Sequence, residues 1–281
     1  MDRPEAVRKY FTVTPTRPDD PDYSKAKTQM MIAGGLLLLA IFLILSKQGI
    51  PVLLGIASGY FGFKFLKDGY FLYSNQKREY EEVYEKYEKD YRRAEPKPSE
   101  EQMDEWTNSD IRKITTEALR RLDLEDDDCK GQEPLILVGP SSSEETRYAY
   151  SKDGRTIRYS HLNILVVFLT EWHVTSYQCE HTLEYGQTTN DKTKEFPYSE
   201  ITDLGTGISK KKIHLVDNVA VFEQGVQEFT LSTSGMNTIN VLYQFKRDAG
   251  ATGELVTLGG GESTITAIRK ALRDYKKKYT K

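Results

Sequence analysis

Two apolar runs restrict what this chain can become more than any other feature. Met30–Leu45 (MMIAGGLLLLAIFLIL) carries no charge, and Ile50–Leu66 (IPVLLGIASGYFGFKFL) carries only Lys64. The polar step Ser46-Lys47-Gln48-Gly49 separates them. As helices they would cover roughly 24–26 Å each, a little under the roughly 30 Å of bilayer hydrocarbon. Thr28, Gln29 and Ser46 can lengthen the first, and Lys64 can snorkel toward the headgroups at the end of the second. A connection this short and polar belongs at an interface. The expectation is a two-helix transmembrane hairpin over residues 28–66. A re-entrant hairpin and a buried hairpin of a soluble domain are the alternatives.

Lysine and arginine near the helix ends set the expected orientation. Arg3, Arg8, Lys9, Arg17, Lys25 and Lys27 precede the first run, and Lys64, Lys67, Lys77 and Arg78 follow the second. The tip has only Lys47. Both termini and the remaining domain are therefore expected in the cytoplasm. A cleaved signal peptide does not fit, because a long polar stretch with acids precedes the first run.

Charged residues make up 29% of the 281, yet the net charge is -3, so no global field draws the chain to nucleic acid. Two cysteines, Cys129 and Cys179, fit a reducing compartment. Residues 1–27 hold four prolines and little apolar periodicity, and read as a flexible cytoplasmic tail.

After the hairpin, residues 67–94 read as a continuing helix. Phe63, Leu66, Tyr70, Tyr73, Tyr80, Tyr84, Tyr87 and Tyr91 recur at three–four spacing, broken only at Lys77. That is the pattern of an amphipathic or coiled-coil helix offering one seam, either to the chain's own domain or to a second copy. Residues 95–133 follow as a proline linker (Glu95-Pro96-Lys97-Pro98), a short helix from about Ser109 to Leu122, and the acidic run Glu125–Asp128. The run lacks the alternating ligands and glycine of a calcium loop.

From Pro134 the pattern turns to strands. These are expected at Leu135–Val138, Arg147–Tyr150, Thr156–Tyr159, through the long stretch Leu162–Tyr185, and at Glu195–Leu204, Lys212–Val216, Ala220–Phe222, Glu228–Ser232 and Asn240–Phe245. Ser151-Lys152-Asp153-Gly154-Arg155 is a hairpin turn signal. The chain closes with an amphipathic helix from Glu262 to about Tyr279, with Ile265, Ile268, Leu272, Tyr275 and Tyr279 on one seam. Arg269, Lys270, Arg273, Lys276, Lys277 and Lys278 fill its other face as candidate anionic-lipid contacts, worth about 1 kcal/mol each close to a membrane surface, or as a solvated outer face.

Residues 134–281 resemble the bacterial pleckstrin-homology-like (PH-like) domains. FPYSEITDLGTG (Phe196 to Gly207) is similar to their "Tyr-x-x-Ile" strand, and EFTLSTSG (Glu228 to Gly235) to a later strand and turn. The resemblance implies an antiparallel β-sandwich or barrel closed by a C-terminal helix. It implies a binding scaffold for proteins, peptides or lipid headgroups, without catalysis.

No catalytic, cofactor or metal motif is evident. His173, Cys179 and His181 share a parity, but no Cys-x-x-Cys or His-Glu-x-x-His accompanies them. Gly205-Thr206-Gly207 and Gly259-Gly260-Gly261 fit no phosphate-loop pattern. The expected fold is a membrane hairpin plus an α+β cytoplasmic domain. The expected function is a non-enzymatic membrane scaffold or adaptor whose partners are the bilayer and a protein or a second copy. A membrane-perturbing effector, with a hairpin that oligomerises through Ala33-Gly34-Gly35 and Gly55-x-x-x-Gly59, is the alternative. An enzyme with dispersed residues would instead show a polar pocket with clustered titratable groups.

Overall fold

The computed structural model describes residues 2–46, 49–125, 127–129, 132–152, 157–214, 221–235, 238–246 and 261–279. The chain forms two compact units, Met1–Val13 with Ala94–Lys281, and Thr14–Arg93.

The Thr14–Arg93 unit is a helical hairpin. A stretch without regular structure leads into α2 (Ser24–Leu45), and α3 (Gly49–Ala94) follows. Both are long and apolar enough to cross a membrane. Lys47 and Gln48 of the expected tip lie outside the described residues. The helices meet along a seven-residue repeat of small residues. Ala26, Ala33 and Ala40 of α2 are buried against Gly69, Gly62 and Gly55 of α3. A Cβ added at those glycines would lie 3.3, 3.2 and 3.1 Å from the carbonyl oxygens of Ala26, Ala33 and Ala40. Ser58 Oγ donates to the Leu36 carbonyl across the same seam at 2.9 Å. Most large side chains of both helices, such as Leu38, Phe42, Leu53 and Phe61, point outward and are exposed. α3 runs unbroken through Gly69 for 46 residues, about 69 Å.

In the other unit, the flexible tail expected at the N-terminus is replaced over its first part by α1 (Arg3–Tyr10). Asp2 caps it, accepting from the Glu5 amide at 3.1 Å, and Pro4 opens the first turn. Val7, Tyr10 and Phe11 are buried in a core shared with α4 (Glu100–Arg121). Three apolar residues in so short a segment gave no periodicity to read, yet they suffice to dock one helix face. α4 begins nine residues before the expected helix, at the Ser99 cap, which accepts from the Gln102 amide. Its inner stripe is Met103, Thr107, Asp110, Ile114 and Ala118. The two polar members hid the first half of that stripe from a hydrophobicity pattern.

Among the described residues nine strands follow: β1 (Leu135–Pro140), β2 (Tyr148–Tyr150), β3 (Ile157–Tyr159), β4 (His161–Leu169), β5 (His173–Thr182), β6 (Gln187–Pro197), β7 (Ile201–His214), β8 (Val221–Thr233) and β9 (Thr238–Lys246). They pair antiparallel as a four-stranded sheet β1-β4-β5-β6, a hairpin β2-β3 and a three-stranded sheet β7-β8-β9. Among the described residues no ladder joins the two larger sheets, so no barrel closes, although β1 lies beside β9. Asp153 to Thr156, Leu215 to Ala220 and Gly259-Gly260 lie outside the described residues, and with them parts of the expected turn, strands and glycine loop.

Two expected segments are divided differently, and one strand was not expected. Leu162–Tyr185 breaks at Thr170, whose Oγ1 accepts from the His173 amide at 3.0 Å and folds the run into β4 and β5. Glu195–Leu204 spans the end of β6, a turn at Tyr198–Glu200 and the start of β7. The polar first two-thirds of β6, QTTNDKTK, had no apolar alternation to betray a strand.

The four-stranded sheet is the central layer. Leu162, Ile164, Val166, Phe168, Tyr177, Cys179 and His181 alternate onto the face covered by α1 and α4. Leu165, Val167, Leu169 and Val174 take the opposite face, against β8, β9 and α5 (Gly261–Tyr279). Ile265, Ile268, Leu272 and Tyr275 carry α5 onto this second core, as the seam predicts. Cys129 and Cys179 are buried and not disulfide-bonded, and burial pushes the Cys179 thiol up to about 12.

Candidate functional site

Alongside α5 the second sheet leaves an open groove of about 620 Å³. Thr206, Gly207 and Ile208 of β7, Gln227 of β8, and Ile265, Thr266 and Arg269 of α5 line it. Ile208 is 56% exposed there. Among the described residues Arg269 is the one charge in the lining, so the groove offers shape, hydroxyl and amide groups and the two side chains Ile208 and Ile265, with no acid–base pair. Among the described residues β7 is an edge strand, hydrogen-bonded on its β8 side. The two exposed edges are guarded very differently. β6 carries Asp191, Lys192, Lys194 and Glu195 on its rim, whereas Leu204–Ser209 of β7 has no charge. Gly205 and Gly207 keep that edge clear of side chains.

A second constellation lies on the other face of the central sheet. Asp110 of α4 accepts from Arg3 Nη1 at 3.1 Å, also bonds Arg3 Nη2, and lies 2.9 Å from Nε2 of His181. Arg3 Nε donates to the Leu183 carbonyl at 2.9 Å, and its guanidinium lies 5.7 Å from the Trp106 ring centre. Burial alone would raise the Asp110 carboxyl, but the hydrogen bonds from His181 and Arg3 hold it well below the usual carboxylate range. Gly186 (φ +64°) makes room, because a Cβ there would come within 3.1 Å of Arg3 Nη1.

A cavity of about 140 Å³ adjoins, lined by Lys113, Glu117, Tyr177, His181 and Thr188 among others. It gathers titratable groups, as the dispersed-enzyme alternative requires. His181 is 1% exposed, its Nε2 is engaged by Asp110, and its Nδ1 is sealed from solvent without a hydrogen-bond partner among the described residues. The ring fastens β5 to α4; it does not offer the cavity a base. At the other end of α1, Arg158 reaches Glu100 and Asp104, each at 2.8 Å, and Tyr10 donates to Glu100 at 2.9 Å. Lys9 Nζ donates to the Glu95 carbonyl at 3.1 Å, beside the point where the chain returns from the hairpin.

Of the expected helix seam, Phe63, Leu66 and Tyr70 are exposed. The line of contact with α2 falls one residue earlier, on Gly62 and Gly69. Tyr73 packs on Tyr23 with ring centres 4.8 Å apart, and Tyr80, Tyr84, Tyr87 and Tyr91 stack along α3 at 5.7 Å steps. Tyr80 donates to Asp20 at 3.0 Å, and hydrogen bonding to Tyr80 raises the nearby Arg17. The segment before α2 therefore covers part of this ladder within the same chain.

The candidate lipid contacts divide along α5. Arg269 lines the groove, Lys270 and Arg273 are exposed, and Lys276, Lys277 and Lys278 crowd the last turn. His173, half-buried at the start of β5, does not join Cys179 and His181. Among the described residues no three His, Cys, Asp or Glu side chains converge as a metal site. Sequence reasoning singled out His181 but missed Arg3 and Asp110. The available signal was Asp110 standing in register with Met103, Ile114 and Ala118. No family model, curated protein or solved structure matches the chain.

Proposed function

We propose that the chain is a membrane-anchored, non-enzymatic scaffold that binds extended peptide segments by strand addition to β7. The observation that carries this reading is the uncharged, one-sided edge Leu204–Ser209 opening onto the groove beside α5. An added strand would take its main-chain hydrogen bonds from β7 and set alternate side chains against Ile208 and Ile265. A groove of this volume, with Thr206, Gln227 and Thr266 around Ile208 and Ile265 and the cation Arg269 beside them, suits recognition of a peptide backbone.

A four-stranded sheet, a three-stranded sheet and a C-terminal helix in this order support the PH-like reading, with the β2–β3 hairpin and α4 as additions to it. The hairpin topology draws support from connectivity. Residues 1–13 and 94–281 fold into one unit, so both ends of the intervening Thr14–Arg93 segment lie on one side of any bilayer it enters. Two crossings satisfy that and one cannot. Lys25 and Lys27 in the first turn of α2, with Lys64, Lys67, Lys77 and Arg78 on α3, favour the cytoplasmic side. Tethering then raises the domain's effective concentration toward membrane-borne partners.

Panning the reconstituted full-length protein against a random peptide library tests the reading. Selected peptides should alternate apolar residues and lose at least about tenfold in affinity to Ile208→Asp, a factor of roughly 1.4 kcal/mol. Ligands indifferent to both Ile208→Asp and Thr206→Pro would overturn it.

A further inference from the structure

At the end of α5 remote from the groove, exposed aromatic rings and lysines share one surface. Trp172, in the turn between β4 and β5, is 48% exposed and stacks on Tyr279 with ring centres 4.7 Å apart. Tyr275 meets both rings, at 6.4 Å from Trp172 and 5.0 Å from Tyr279, and also packs on Tyr198. Lys278 Nζ sits 4.9 Å from the Tyr279 ring centre and 2.8 Å from Glu171. Arg273, Lys276 and Lys277 stand exposed on the same last turns, with Asp274 and Glu171 as the acids among them. An indole held half out of a turn, stacked on two tyrosines with Lys278 beside them and the basic last turns of α5 adjoining, has the composition of a bilayer-interface contact.

We infer that Trp172, Tyr279 and the α5 bases form a second membrane contact, which lays the folded unit on an anionic bilayer surface. The inference rests on the reading of the chain as membrane-anchored, because tethering lets a weak surface affinity dominate. The occupant is a lipid surface rather than one headgroup. The small cavity beside the patch, about 160 Å³, is lined by Glu171, Asp274 and Lys278, and the lysine is already paired with Glu171 at 2.8 Å, so the lining carries more acid than base and does not suit a phosphate. Recognition is therefore by charge density and aromatic insertion. Phosphatidylglycerol and phosphatidylserine should serve equally.

The test places the full-length protein in vesicles of phosphatidylcholine, alone or with phosphatidylglycerol, containing lipid brominated just below the headgroup. Trp172 fluorescence is taken as the difference between the protein and its Trp172→Phe variant, which removes the contribution of Trp106. Strong quenching is expected in anionic vesicles, and weak quenching in neutral ones or in high salt. The triple variant Arg273→Gln, Lys276→Gln, Lys277→Gln should shift the docked-to-undocked ratio by roughly 100-fold at low salt. Equal quenching in neutral and anionic vesicles, or none in either, overturns the inference, and so does quenching relieved by an acidic peptide but not by salt. Carbonate extraction of the same vesicles separates this from the anchor. Protein that resists carbonate but is not quenched removes the surface contact alone. Protein released by carbonate yet quenched removes the anchor alone.

Discussion

Where α2 meets α3, contact is made by Ala26, Ala33 and Ala40 against Gly69, Gly62 and Gly55, with backbone almost touching backbone. Where α1 meets α4 and β5, it is made by Arg3, Tyr10 and Phe11, by Asp110 and His181, and by large apolar side chains between them. The first pair keeps its large side chains on the outside and the second keeps them within. In hydrocarbon, bringing Leu to Leu gains little over Leu against lipid, so close approach of small residues has to hold the helices together. In water, burial supplies the drive, and the charged clamps fix where α1 sits. If the hairpin enters a bilayer as proposed, the difference follows the solvent that each pair meets.

The sharpest way to break the comparison is at Asp110. Asp110→Ala leaves Arg3 and His181 facing a carboxylate-shaped gap, and a cost of about 3–5 kcal/mol in urea unfolding of the folded unit is expected. Among the described residues the α2–α3 seam has no counterpart charge, so the hairpin should be unaffected. The same carboxyl sets an acid limit. Because its native value is depressed, its stabilisation is complete above the ordinary value near 3.8 and is lost as the pH falls below that through the native value. Melting temperature should drop on that acid limb in the native protein, with a flatter slope in Asp110→Asn.

Next in size is Gly62→Ala. The new Cβ would meet Leu37 Cγ at 3.0 Å and the Ala33 carbonyl at 3.2 Å, for an expected cost of about 1–3 kcal/mol in mixed-micelle unfolding. Gly59→Ala meets only the Ala40 Cβ, at 3.5 Å, and should be neutral. Equal effects at the two sites would erase the seam as described. Smaller still is Tyr87→Ala in the ladder, at about 0.5–1.5 kcal/mol, read as increased mobility of a spin label at Lys89. Tyr80→Phe, which removes one exposed bond to Asp20, should loosen only the segment before α2, seen with a label at Pro18.

Legibility followed the same division. The hairpin and the strands with apolar cores, such as ILVVFL in β4, were plain in the sequence as apolar runs, and the terminal helix was plain because burial left a period of 3.6. The α2–α3 contact was not read from the sequence, whose Phe63–Tyr91 seam was expected to face the chain's own domain or a second copy. In lipid both faces of a helix are apolar, so periodicity carries no direction, and the seven-residue spacing of Ala26, Ala33, Ala40 and of Gly55, Gly62, Gly69 was the informative pattern. β6 was missed because its exposed residues are polar on both faces. The groove was legible only as Gly205-Thr206-Gly207, since an edge strand is defined by what does not pair with it. The Arg3–Asp110–His181 clamp joins residues 107 and 71 positions apart, and no local rule reaches that far.

That clamp also has a place in time. Arg3 leaves the ribosome before α2 and α3, whereas Asp110 and His181 are synthesised after them. If the hairpin enters a membrane as proposed, α1 must wait in the cytoplasm until both crossings are made and α4 and β5 have emerged. A chain inserted with a single crossing would strand Arg3 on the opposite side from its carboxylate. The unit would then lack Val7, Tyr10 and Phe11 from its core and leave Asp110 without Arg3, a lesion that proteases can sense. On that proposal, completion of the folded unit would depend on the hairpin having made both crossings.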